Sequence, residues 1–161
     1  MTKAGHVVVG FSVALLLELD PVFAVLGAIL PDKDLMWEKP VGKRTLWNAH
    51  RGFTHHVYLI PALLLTAALG IFTLEFPYSY ILASFCAGYV SHILADAFTP
   101  LGVPYTLRYY PRFSLFLFRT GSLVEWMLIF TFACLILYFG QERVVESLSR
   151  QQAVVRFFLG E

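Results

Sequence analysis

Residues Tyr78–Phe98 read YSYILASFCAGYVSHILADAF. The run carries close to the ~20 apolar residues that a bilayer demands of a spanning helix. Yet it ends with His92 and Asp96, four residues apart, so one helical turn places both side chains on one face. Ionisable groups at a membrane boundary are costly and tend to be functional. Outward from this segment, Val57–Phe76 and Leu123–Phe139 are similarly apolar, which predicts three full spans. Composition agrees. Of 161 residues 58% are apolar and 14% charged, against about 25% charged in a soluble domain, and the mean hydropathy is +0.67. Twelve Lys+Arg against eleven Asp+Glu give a net charge of +1, which excludes a nucleic-acid module built on excess positive charge. Cys86 and Cys134 sit singly in apolar runs, so neither a disulfide framework nor a thiolate metal site is indicated.

The first apolar stretch, Val7–Leu30, is broken by Glu18-Leu19-Asp20-Pro21. Two carboxylates before a proline suit the middle of a membrane poorly. Either it is one interrupted span or two short helices form a hairpin that dips in and returns; the hairpin is preferred. Lys3 ahead of an apolar run, with Val22-Phe23-Ala24 beyond, resembles a weak signal peptide. Retention is expected, since cleavage would remove His6. The chain thus reads as all-α, an integral membrane helical bundle of three full spans plus a broken N-terminal segment. Residues 1–161 form a single membrane domain: 6–30 the broken segment, 31–56 a polar motif loop, 57–98 a transmembrane hairpin, 99–121 a Pro/Arg loop, 122–140 the last span and 141–161 an interfacial tail. The hairpin puts both loops on one face. That face carries Lys33, Lys39, Lys43, Arg44, Arg51, Arg108, Arg112 and Arg119, and the tail carries Arg143, Arg150 and Arg156. The imbalance predicts that the motif loops are cytoplasmic.

Polar residues cluster at that boundary. Pro31-Asp32-Lys33-Asp34 places two carboxylates at a helix C-terminus, where the macrodipole disfavours anions and a cation would offset them. His50-Arg51-Gly52-Phe53-Thr54-His55-His56 holds three histidines, and a turn through Gly52 would fold His50 and His55 toward one point, with His56 aimed elsewhere. His6 joins them only if the N-terminal segment is a hairpin. Thr120-Gly121-Ser122-Leu123-Val124-Glu125 reads as a capping box for the last span, with a second reading of Glu125 as a buried acid/base or ligand. Taken singly, each element has a plain structural explanation. Together, His6, Asp32, Asp34, His50, His55, His92 and Asp96 suit a divalent ion, foremost Zn²⁺, with Mn²⁺ or Fe²⁺ as alternatives, in one or two sites. Arg51, Arg108, Arg112 and Arg119 could hold an anionic substrate, or serve only the charge rule of topology.

In order and spacing, Gly5-His6, Ile29-Leu30-Pro31-Asp32-Lys33-Asp34, His50-Arg51-Gly52-Phe53-Thr54-His55, Ser91-His92-Ile93-Leu94-Ala95-Asp96 and Thr99-Pro100-Leu101-Gly102 resemble the YdjM-like family of membrane-bound, metal-dependent hydrolases. The resemblance covers residues 5–125, and its H-R-G-x-T-H element is the specific part. The family is distantly similar to zinc-dependent phospholipase C, an all-helical enzyme whose His and Asp side chains hold zinc ions. That similarity implies hydrolysis of a phosphoester in a lipid or lipid-linked substrate at the inner (plasma) membrane. Carried over by position, His55, His92 and Asp96 are expected as metal ligands, with Asp32 or Asp34 completing the shell. His6 and His50 would serve a second ion or stand behind the first, and Asp34 or Glu125 would act as acid/base. The sequence departs from the family pattern at His56, where serine is common, and at Lys33, where an apolar residue is usual. Two other classes remain open: transport of a metal ion or proton, with Glu18, Asp20 and Glu75 as the far-side candidates, and a scaffold stapled by metal. The oligomeric state is unassigned.

Overall fold

The computed structural model describes residues 1–36, 38 and 43–160. Lys39, counted above among the loop cations, and Glu161 of the tail lie outside the described residues. Helix α1 (Lys3–Leu16) opens on a Thr2 cap, whose hydroxyl accepts from the Gly5 amide. It ends at the Glu18–Pro21 break, where Glu18 takes a left-handed conformation (φ 56°). Asp20 then caps α2 (Pro21–Ile29), and its Oδ1 accepts from the amides of Val22 and Phe23. Pro21 fills the first helical position, where its missing N–H costs nothing. The break is therefore a turn between two helices that pack on each other. A 3-10 turn follows over Pro31–Met36, and a second covers Phe53–His55.

Helices α3 (Leu59–Thr73) and α4 (Tyr78–Ala97) form the expected hairpin, and α4 packs against α1, α2 and α3. Gly27 and Gly88 let α2 and α4 meet backbone to backbone. A Cβ on Gly88 would collide with the Ala24 carbonyl, and one on Gly27 with that of Phe85. The Pro/Arg loop holds a short antiparallel pair that its prolines had hidden, β1 (Val103–Pro104) on β2 (Arg112–Phe113), with Val103 opposite Phe113. Helix α5 (Leu123–Phe139) packs on α1. Helix α6 (Gln141–Leu159) turns away and lies across the end opposite the motif loops. There Arg143 donates to the Leu16 carbonyl, Ser147 to that of Leu19, and Arg150 pairs with Glu18.

The expected three full spans are an overcount. Among the described residues, α4 is the one single helix long and apolar enough to cross a membrane. A second crossing needs α5 and α6 taken together, and these bend by 81°. The reason is that an apolar run is longer than the helix it contains. Val57 and Tyr58 precede α3 and Leu74–Phe76 follow it outside helical geometry. The 15-residue helix is ~22 Å long at 1.5 Å per residue, against a hydrocarbon core of ~30 Å. The outer surface is nonetheless lipid-like. Gly70 is the one buried residue on α3, while Leu65 (60%) and Phe72 (86%) stand open. A helix apolar on all sides with almost nothing buried belongs against lipid.

Candidate metal centre

The centre forms where α4 ends beside the Pro31–Met36 turn, the His50–His55 loop and the start of α1. His92 and Asp96 project from one face of α4, as their spacing required, and both are fully buried. The close α2–α4 approach brings the Ala28 carbonyl within 2.5 Å of His92 Nδ1. A carbonyl only accepts, so Nδ1 carries the proton and Nε2 presents its lone pair. His55 is held the same way by different means. Its Nδ1 donates to Thr54 Oγ1 (2.9 Å), and that hydroxyl donates to Asp34 Oδ2 (2.7 Å). Both Nε2 atoms therefore face one point, 2.9 Å apart.

Two carboxylates complete the point. Asp32 Oδ1 lies 3.6 Å from each Nε2. Asp96 Oδ2 lies 3.4 Å from His55 Nε2 and 3.6 Å from His92 Nε2, and it is buried without a hydrogen-bond partner. The four donor atoms all fall within 4.8 Å of one another. Two imidazole nitrogens and two carboxylate oxygens, one of them an orphaned buried oxygen, could hold a metal ion.

The 3-10 turn sends Asp32 and Asp34 in different directions. Asp34 is fully engaged behind the centre: His50 Nδ1 at 2.6 Å, the Arg51 amide at 2.9 Å and Thr54 all reach it. Burial pushes its carboxyl up, but the hydrogen bonds from His50, His55 and Thr54 outweigh burial and hold it well below the ordinary carboxylate range. His50 also approaches Asp32, at 3.9 Å, and with Asp34 and His55 it makes a second group of ligand type. Burial lowers His55, yet Asp32 and Asp34 prevail and raise it above the usual imidazole value. His6 is brought to the centre but stands beside the donor point. Its ring stacks on His92 (centroids 3.6 Å, 15°) with Nε2 3.2 Å from Asp96 Oδ1, and neither ring nitrogen is hydrogen-bonded. His56 points elsewhere, to the Thr106 carbonyl.

The remaining expected site residues divide sharply. Arg51 is 4% exposed and turned inward. It has a left-handed backbone (φ 55°), and its guanidinium binds Asp96 Oδ1 (2.8 Å) and Thr99 Oγ1 (2.8 Å). Gly52 beside it lies so close to the Leu46 and Ala49 carbonyls that no side chain fits. Arg112 donates from Nε and Nη2 to the carbonyls of Leu101, Gly102 and Arg51 and lies over the Tyr109 ring, while its buried Nη1 has no partner. Arg108 and Arg119 stay exposed on the loop. Glu125 does not join the cluster. Ser122 caps its amide, and its carboxylate accepts from Gly121 and from the Thr2 amide and hydroxyl, tying α5 to the start of α1. At the opposite end, Glu18 and Asp20 are occupied with Arg150 and with the α2 cap.

Several members of the centre gave no sequence signal. The amino group of Met1 donates to Asp96 Oδ1, and Thr54 and the Ala28 carbonyl set the imidazole tautomers. Only Thr54 could have been flagged, as part of the Thr-His pair in the motif.

Fold and site together define a helical membrane protein with a buried His/Asp centre at one end. The chain belongs to the YdjM family: the family model described as "YdjM inner membrane protein" matches residues 1–159. It is similar to inner membrane protein YdjM of Escherichia coli (strain K12), at 31% identity over 180 residues covering 96% of this chain and 88% of that protein. The protein of the same name from Shigella flexneri matches equally. No solved structure matches. The relatives named as inner membrane proteins support an inner membrane location here.

Proposed function

We propose that this chain is a membrane-bound metal-dependent hydrolase, acting on a phosphoester of a lipid or lipid-linked substrate, with its motif loops on the cytoplasmic face. The observation that carries the reading is the pair of Nε2 lone pairs facing one another across 2.9 Å. With both Nδ1 protons already donated, the two Nε2 atoms can face each other only across a shared proton or a metal cation. Asp32 and the unpartnered Asp96 Oδ2 supply the charge to hold a divalent one. Such an ion, when bound, acts as a Lewis acid and brings the pKa of water toward neutrality. His55, His92, Asp32 and Asp96 bind it. Asp34 acts directly and through Thr54 to keep His55 in its binding tautomer, and its oxygens are too fully engaged for acid/base duty. Arg51 holds Asp96 Oδ1 so that Oδ2 faces inward. Exposed Arg108 and Arg119 meet anionic headgroups at the surface.

Elemental analysis of the detergent-purified protein, beside a His92→Ala/Asp96→Ala variant, tests the site. Stoichiometric zinc or manganese that vanishes in the variant is expected, followed by metal-dependent turnover in a screen of phosphoester lipids. No metal after reconstitution would overturn the reading and leave a hydrogen-bonded network. Bound metal with a cobalt spectrum of a closed four-coordinate site, and no turnover, would favour the stapled scaffold.

A further inference from the structure

Beside the donor point lies a pocket of about 310 Å³, between the first turn of α1 and the Pro31–Met36 turn. Its floor holds Asp32, whose Oδ1 faces both imidazoles, and His6, which is 1% exposed, with Nε2 3.2 Å from Asp96 Oδ1 and Nδ1 without a partner. Its rim carries Lys3 and Lys33. The 3-10 geometry explains the last residue: three residues per turn swing neighbours about 120° apart, so Asp32 faces inward while Lys33 reaches the rim. Among the described residues neither lysine has a carboxylate within ion-pair distance. The outer wall is apolar, formed by Ile29, Leu35 and Met36, the last 76% exposed.

We propose that this pocket receives a phosphate group, held between the Lys3 and Lys33 ammonium groups, with the fully buried His6 as a further polar contact. The inference rests on the metal reading above in one respect: an ion on Asp32 removes the repulsion that this carboxylate would otherwise exert on an anion. Two unpaired cations around a neutralised floor favour a dianion over a monoanion. The site also differs from Arg51 and Arg112, whose guanidinium groups are directed at Asp96, Thr99 and loop carbonyls rather than at this pocket. A lipid headgroup and a free phosphate share this chemistry, and the apolar wall argues for the headgroup.

The test titrates zinc-loaded protein in dodecyl maltoside by calorimetry, once with inorganic phosphate and once with dodecyl phosphate, in wild type and in a Lys3→Gln/Lys33→Gln variant. Zinc content is read on the same samples. The expected result is tighter binding of dodecyl phosphate, weakened about tenfold in the variant, the combined scale of two partly solvated ion pairs, with zinc content unchanged. Equal binding of both probes, still lost in the variant, supports the pocket with free phosphate as the source. Unchanged affinity in a variant that keeps its zinc overturns the proposal and leaves the metal reading intact. A protein that takes up no zinc defeats the metal reading instead. In that case phosphate binding that survives and depends on the lysines still supports the pocket, and its absence overturns both.

Discussion

His55 and His92 stand 37 residues apart in sequence and 2.9 Å apart at their Nε2 atoms. Each has its Nδ1 proton committed to a different acceptor, Thr54 Oγ1 for one and the Ala28 carbonyl for the other. Fixing the outer nitrogen of an imidazole sets which nitrogen is left for a metal, and partners of this kind matter nearly as much as the ligands. Much of what can be tested about the centre follows from that arrangement.

Thr54 bridges Asp34 and His55 beside their direct contact of 3.2 Å, so Thr54→Val should weaken the hold on His55 Nδ1 without removing a ligand. Zinc affinity is expected to fall between about tenfold and a hundredfold, the usual scale for an outer partner. Thr54→Ser, which keeps the hydroxyl, should restore most of it. Competition with a calibrated zinc chelator measures both, and a valine variant of unchanged affinity would refute the bridge.

Arg51 compensates Asp96, a fully buried carboxylate. Arg51→Leu leaves that buried carboxylate with the Met1 amino group as its remaining cationic partner, so the loss should fall toward the low end of the about 3–5 kcal/mol seen when a buried pair is broken. Thermal unfolding in detergent should show the drop. Zinc should recover part of it, because the ion takes over as the counter-charge to Asp96. If the variant is as stable as wild type without metal, Arg51 is not the compensating charge.

Gly88 sets the α2–α4 distance. Gly88→Ala places a methyl group where the Ala24 carbonyl already lies. Overpacking of this kind costs about 1–3 kcal/mol. Separating the helices also draws Ala28 away from His92, so metal affinity should fall with stability. Equal zinc affinity in a destabilised Gly88→Ala protein would show that the helix contact and the site are independent.

The metal-free protein should respond to pH in two windows. His55 has a raised folded pKa, so its contribution is fully present below the ordinary imidazole value of about 6.5 and is lost as pH rises through the folded value. Asp34 has a lowered folded pKa, so its contribution is present above the ordinary carboxylate value of about 4 and is lost as pH falls toward the folded value. The melting temperature of the apo protein should therefore decline on both sides, and Asp34→Asn should flatten the acid limb. Zinc should reverse the alkaline decline and release protons as it binds, since a metal competes with the proton for His55. A melting temperature indifferent to pH across both windows would count against these assignments.

The sequence carried more of the site than of the membrane topology. His92 and Asp96 converge because a four-residue spacing on one helix allows nothing else. The N-terminal break was legible because two carboxylates before a proline suit neither a membrane interior nor a continuous helix. Span length was misread at α3, since apolar character in residues 57 and 58 or 74–76 says nothing about whether their backbone is helical. The choice between Asp32 and Asp34 was undecidable, because both are acidic, adjacent in the motif and equally suited to a metal.

Composition and spacing by themselves determined the helical apolar character of the chain, the break at Glu18–Pro21 and the set of His and Asp residues worth watching. These are properties of local chemistry and helical period. Only the tertiary structure decided that Asp32 faces the imidazoles while Asp34 stands behind them, that Arg51 turns inward to Asp96, and that Glu125 ties down Thr2. Each of those outcomes depends on what packing brings opposite a side chain. A buried charge or hydrogen-bonding group must find its partner wherever the fold supplies one, and no spacing along the chain records where that is.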